Sequence, residues 1–363
     1  MLDSLEVIKA RGSLRRFKKA LETGRVVVGF AGGSITEAAR SGNWPHFVIN
    51  YLMRKYPGVR FVSENSAIGA TGSLGALMRA EREQLLADCD IVFLEHAVND
   101  RSGETTMRSR EGFIRKLLRQ ERDAVLVYTF NQPMYEDMNA GKVPQSIAEL
   151  EQLADHYNLP SVWMALHALK EQQAGRMRWE MLLPDGLHPG DFGSSVYAEA
   201  VNQYLENELS APDGEPIRCA ELLPEPFNAR NFEHTTVIPF EKITCDGAWC
   251  EIREYASPWY RNALFSCASG ASLSFDFEGR ALCGTVGFGK TSGKFCYRID
   301  GGEWQEYVGE RDWWVPESNW TCSILFCDDL PEGKHHVEMV CKHAGLTHCQ
   351  GTTCKIFAMM AVK

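Results

Sequence analysis

From residue 1 to about 210, short continuous apolar runs alternate with amphipathic stretches. The runs cover 26–30, 60–62, 91–94, 125–130 and 161–164. None alternates polar with apolar, so each fits a strand covered on both faces, as in a parallel sheet. Between them, apolar positions recur at helical spacing over 44–56, 74–87, 108–120 and 146–157. Repeated strand-then-helix units predict an α/β fold, a three-layer α/β/α sandwich on a parallel sheet.

The pattern breaks between 211 and 235, where Pro212, Asp213, Gly214, Pro216, Pro224 and Pro226 interrupt any helix. This stretch reads as a linker. Beyond it, over 236–363, aromatic and β-branched residues are punctuated by turns such as Asp300-Gly301-Gly302 and Pro331-Glu332-Gly333. Short strands with such turns predict an all-β sandwich or jelly roll. Two domains also suit 363 residues, because a single core rarely grows past ~250–300.

Composition narrows the partners. The net charge of -10 argues against nucleic acid, which needs a basic face. The one basic cluster, from Arg15 to Lys19, reads as the solvated face of an opening helix. No apolar run approaches the ~18 residues of a membrane span, and residues 1–24 carry no secretory pattern. Of 12 cysteines only Cys89 precedes residue 219, and no CxxC pair occurs. Free thiols and a cytoplasmic location are therefore expected. A zinc site built from Cys341, His343, His348 and Cys349 is the alternative considered and set aside. Neither a metal nor an organic cofactor is expected, and the oligomeric state is left open.

Candidate chemistry follows the apolar runs, because ligands of an open parallel sheet bind beyond the strands' carboxyl ends. After the first run comes Ala31-Gly32-Gly33-Ser34-Ile35-Thr36, whose glycines allow a tight turn and whose serine can face the crevice. The second run leads to Asn65-Ser66-Ala67-Ile68-Gly69-Ala70-Thr71-Gly72-Ser73, small residues that let backbone N–H groups meet a ligand. The third ends in Glu95-His96-Ala97-Val98-Asn99-Asp100, placing a neutral amide donor at the same edge. Further on stands Pro184-Asp185-Gly186-Leu187-His188-Pro189, where Asp185 can hold the ring of His188 and leave Nε2 free as a base. Each motif alone has a bland reading: a helix cap, a turn-forming Asn, a satisfied loop pair. Jointly they supply the nucleophile, base, orienting acid and oxyanion donors of acyl transfer.

In order and spacing these four blocks resemble those of the SGNH (GDSL-type) hydrolases, over roughly residues 22–208. The resemblance implies Ser34 as nucleophile, with His188 as base and Asp185 as its orienter. It also implies an oxyanion hole from the Ser34 N–H, the Asn99 amide and a second-block backbone N–H. Gly33 stands where the name-giving Asp would be, as in the branch whose first block reads GGSIT. The second-block glycine falls on Ala70; if the backbone there has positive φ, the donor passes to Gly69. Segments 277–302 and 328–335 are similar, more loosely, to a β-sandwich domain appended to carbohydrate-acting members. The activity so implied is removal of short acyl groups, acetyl foremost, from a carbohydrate substrate. Trp304, Trp313, Trp314 and Trp320 are candidates to stack on sugars, or else core residues. An acyl-thioesterase or lysophospholipase, and an inactive carbohydrate-binding protein, are the rival readings.

Overall fold

A computed structural model describes residues 5–37, 42–83, 86–257, 260–309, 315–317 and 320–363. The chain divides into two compact units, residues 1–80 with 84–233 and residues 81–83 with 234–363.

In the first unit the apolar runs become strands β1 (Ile8–Lys9), β2 (Arg25–Gly32), β3 (Arg60–Asn65), β4 (Ile91–Glu95), β5 (Asp123–Val127) and β6 (Ser161–Val162). They form one sheet in the order β1-β6-β5-β4-β2-β3. Pairing is parallel except for the short edge strand β1, which runs antiparallel to β6. Strands β4 and β5 are buried at every position, and β2 at every position after Arg25. That is why they read as unbroken apolar runs. The helices are α1 (Arg15–Thr23), α2 (Trp44–Lys55), α3 (Ser73–Glu83), α4 (Glu104–Arg119), α5 (Gln132–Asn139), α6 (Gln145–Tyr157), α7 (Met164–Gln173), α8 (Trp179–Leu182) and α9 (Asp191–Ser210). The basic cluster opening α1 is partly committed: Arg16 pairs with Asp90, and Lys18 with Glu208 and Asp213.

Strand order dictates where a site can form. From β2 the chain moves to β3 on one side, then returns to place β4 on the other. The loops after β2 and β4 therefore diverge and leave a crevice between them at the carboxyl edge.

Much of the proline-rich segment expected as a linker is hydrogen-bonded within this unit. Glu215 O accepts from Ser13 N–H, and Glu111 Oε2 accepts from Asn228 N–H at 2.8 Å. Glu233 is buried against Arg115 at 2.5 Å.

The second unit contains β7 (Thr235–Val237), β8 (Thr244–Asp246), β9 (Cys250–Ser257), β10 (Tyr260–Ser266), β11 (Ser272–Gly279), β12 (Ala281–Phe288), β13 (Lys294–Ile299), β14 (Gln305–Tyr307), β15 (Trp320–Cys327), β16 (Gly333–Lys342) and β17 (Cys354–Val362). Two antiparallel sheets result, β15-β12-β17-β10-β9 with β7 on β17, and β14-β13-β16-β11-β8. Alternate residues of β11 (Leu273, Phe275, Phe277) and of β16 (Val337, Met339, Cys341) turn into a core shared with Val286, Ile356 and Met359 of the other sheet. All 12 cysteines carry free thiols. Among the described residues no group of three or more His, Cys, Asp or Glu is placed to hold a metal. No helix among them is long and apolar enough to cross a membrane. Trp304 is exposed, with the Arg298 guanidinium over its ring, while Trp313 and Trp314 lie outside the described residues.

Candidate active site

Ser34 sits in the turn that leaves β2, and His188 in the loop between α8 and α9. Ser34 Oγ lies 2.7 Å from His188 Nε2. On the far side of the ring, Nδ1 lies 2.8 Å from Asp185 Oδ2. A carboxylate only accepts, so Nδ1 carries the ring proton and Nε2 presents its lone pair to the serine hydroxyl. Asp185 is locked by its own loop, since Oδ1 accepts from Leu187 N–H at 2.9 Å and His188 N–H at 2.6 Å. Partial burial opposes its charge, but these bonds from His188 and Leu187 prevail and lower its pKa to about 2. The base therefore keeps an ionised partner throughout the neutral range.

The nucleophile turn is held from several sides. Thr36 O accepts from Asn65 Nδ2 at 2.6 Å and from Asn43 Nδ2 at 3.0 Å. Asn99 packs directly on this turn: a Cβ built on Gly33 would lie 1.7 Å from Asn99 Oδ1. A side chain at position 33 would therefore have to displace the Asn99 amide from the nucleophile turn. Asp100 fastens the same loop to α3, accepting from Ser73 N–H at 2.8 Å and from Arg110 Nε at 2.9 Å. Arg79, buried under the second block, bonds Ser66 O and Thr71 Oγ1. Within that block Ala70 adopts φ 60°, a left-handed conformation, the case in which the expected donor passes to Gly69.

The structure thus brings Ser34, His188 and Asp185 into one hydrogen-bonded row, with Asn99 on the adjoining turn. A pocket of about 90 Å³ opens beside them, lined by Ser34, Ile35, Asn43, His188, Asp191 and Ser194. A wider groove of about 730 Å³ lies along α2 and α9, between Phe47, Tyr51 and Arg54 on one side and Glu199, Asn202 and Glu206 on the other.

Sequence reasoning gave no role to Glu95, the last residue of β4. It is fully buried; Oε1 accepts from Thr129 Oγ1 at 2.7 Å and Oε2 from Thr36 Oγ1 at 3.1 Å. The available signal was a charged residue closing an unbroken apolar run.

No family model matches the chain, and no curated protein does. Among solved structures, a two-domain esterase active on acetylated mannans superposes with a TM-score of 0.82 at 22% identity. The match covers 98% of this chain, and 96% of the other chain as co-crystallised with mannopentaose. An acetyl xylan esterase matches 48% of this chain at 21% identity with a TM-score of 0.41, too low to argue from. At 22% identity the first likeness is one of fold, and it extends over both units of the chain.

Proposed function

We propose that the chain is a serine esterase of the SGNH type, GGSIT branch, that removes short acyl groups, acetyl foremost, from carbohydrate. The observation that carries this reading is the row Ser34 Oγ, His188 Nε2, His188 Nδ1, Asp185 Oδ2, with steps of 2.7 and 2.8 Å. In the first half-reaction Ser34 Oγ attacks the ester carbonyl carbon and its proton passes to His188 Nε2. The carbonyl electron pair moves to oxygen, where it meets the Ser34 N–H, the Asn99 amide and an N–H of Ala70 or Gly69. Collapse breaks the bond to the sugar oxygen, which takes the proton from His188. Water then repeats the sequence on the acyl-serine, and Asp185 stabilises the imidazolium each time.

Pocket size supports a short acyl group. A pocket of about 90 Å³ beside Ser34 and His188 supports a small acyl group over a long tail, which needs an extended apolar surface to gain ~0.8 kcal/mol per buried methylene. The groove along α2 and α9 supports a sugar. Its charges balance, Arg54 and Lys55 against Glu199 and Glu206, and Tyr51, Asn50 and Asn202 add neutral hydrogen-bonding groups. Such a lining suits a neutral polyol better than an ion. The likeness to a mannan esterase supports the same class. We read the second unit as an accessory β-sandwich of jelly-roll type and place the chain in the cytoplasm, in keeping with its free thiols.

The test is kinetic. Ser34→Ala and His188→Ala should each lower kcat on acetyl esters by several orders of magnitude while melting cooperatively. Asn99→Ala should cost about 10²–10³-fold, the scale of one oxyanion donor. Full turnover in Ser34→Ala would refute the assignment.

A further inference from the structure

The Glu95 carboxyl lies beneath the nucleophile turn, at 0% exposure. Hydrogen-bond polarity suits it to a carboxylate. An indole N–H can only donate, so Trp44 Nε1, 3.0 Å from Thr36 Oγ1, gives its hydrogen to the threonine oxygen. The single Thr36 hydroxyl hydrogen is then free to go to Glu95 Oε2. Thr129, just past β5, presents its hydroxyl to Oε1, and the Gly33 backbone N–H adds a further donor. Donors thus converge from β2's turn and β5's end on a group with no cationic partner among these bonds.

We propose that Glu95, as a carboxylate, is a positioning residue that fixes the Gly33–Thr36 turn and so aims Ser34 Oγ at His188 Nε2. It does not touch substrate. Its effect is exerted through Gly33 and Thr36, the residues on either side of the Ser34-Ile35 pair. Protonation removes the charge that strengthens these bonds: the new hydrogen goes to a threonine hydroxyl oxygen, whose own hydrogen turns away from the carboxyl, so a charge-assisted bond becomes a neutral one and the hold on the turn weakens.

That protonation falls in the working range of an esterase. Burial raises the Glu95 pKa to about 7, against the lowering effect of Thr129, Thr36 and Gly33. The groups facing it do not offset this. Thr36, Trp44 and Thr129 are neutral, the Tyr197 phenol of α9 is held protonated by burial, and the Asp100 carboxylate adds to the rise. Ser34 should therefore gain reactivity as pH rises through about 7 and Glu95 loses its proton.

The inference rests on the reading of Ser34 as nucleophile, and the experiment separates the two. A fluorophosphonate probe is attacked by a serine oxygen at phosphorus and loses fluoride, with no need of the natural substrate. Its labelling rate at Ser34, located by mass spectrometry, is followed from pH 5 to 9 in the full chain. In the wild type the labelling rate should rise through about pH 7 as Glu95 ionises. Glu95→Gln should label roughly 10–10²-fold more slowly, the scale of a small misplacement of a reacting group, and should lose the part of the pH dependence that Glu95 contributes. Because Gln also changes the packing around this buried group, Thr129→Val provides a second arm: it removes one donor to the carboxylate, so the rise should shift to higher pH. An unlabelled Ser34 in the wild type would overturn the nucleophile reading, and this inference with it. Labelling at Ser34 with superimposable pH profiles in all three proteins would overturn the role of Glu95 alone.

Discussion

Ala70 places a Cβ in the left-handed region, at φ 60°, which costs an L-residue about 1–2 kcal/mol. The strain lies in the loop expected to donate to the oxyanion, where a fixed backbone is worth holding. Ala70→Gly removes the clash but gives the unfolded chain more freedom, a loss of roughly 0.4–1 kcal/mol. The balance should be a net stabilisation of about 0.5–1 kcal/mol, read as a higher urea midpoint at unchanged m. A lower midpoint would contradict the strain. This strain was not legible in the sequence, because alanine carries no mark of positive φ. The Asp185–His188 bond was legible, since it spans three residues and needs no tertiary information. Glu95 stands between these cases: its charge was visible, but its partners Thr36 and Thr129 lie 59 and 34 residues away.

Among the elements, the buried strands were the clearest. Predicted runs 26–30, 60–62 and 91–94 fall inside β2, β3 and β4; continuous burial explains the signature of β2 and β4, whereas β3, at the sheet edge, is exposed at Arg60 and Ser63 and half-buried elsewhere. The run at 125–130 was displaced. Strand β5 starts at Asp123 and stops at Val127, and Tyr128, Thr129 and Phe130 continue the apolar signature as buried residues past the strand end. Helix α9, 20 residues long, was not anticipated, since small and aromatic residues on several of its faces are buried and blur the helical period. Its first turn nonetheless sets the site. A Cβ on Gly193 would lie 2.3 Å from Leu182 O and 2.9 Å from Pro189 Cβ, so α9 starts pressed against the His188 loop and the end of α8. Gly→Ala inside a helix ordinarily stabilises by about 1 kcal/mol. Gly193→Ala should do the reverse, lowering the melting temperature and cutting kcat/KM at least about tenfold by shifting His188. A more stable variant with wild-type kinetics would contradict this packing.

For the whole molecule, the sequence change near 211 announced two kinds of structure but not where one unit ends. Residues up to Glu233 stay with the first unit because their prolines sit in turns whose backbone groups are claimed by Ser13, Tyr157 and Glu111. Hydropathy alone does not reveal such partners. The proposed substrate belongs to this scale too, since an acetylated oligosaccharide would extend beyond the pocket of about 90 Å³ to which the acyl group is assigned. The most direct measurement is release of acid by the full chain from acetylated manno- and xylo-oligosaccharides, beside p-nitrophenyl esters from acetyl to octanoyl. Acetate should be released from an acetylated oligosaccharide with higher kcat/KM than from p-nitrophenyl acetate, because contacts remote from the ester can act in the transition state. Efficiency should fall steeply from acetyl to butyryl and beyond. Efficiency rising through octanoyl, with no acetate released from any acetylated carbohydrate, would contradict a carbohydrate deacetylase and favour a lipid or thioester hydrolase.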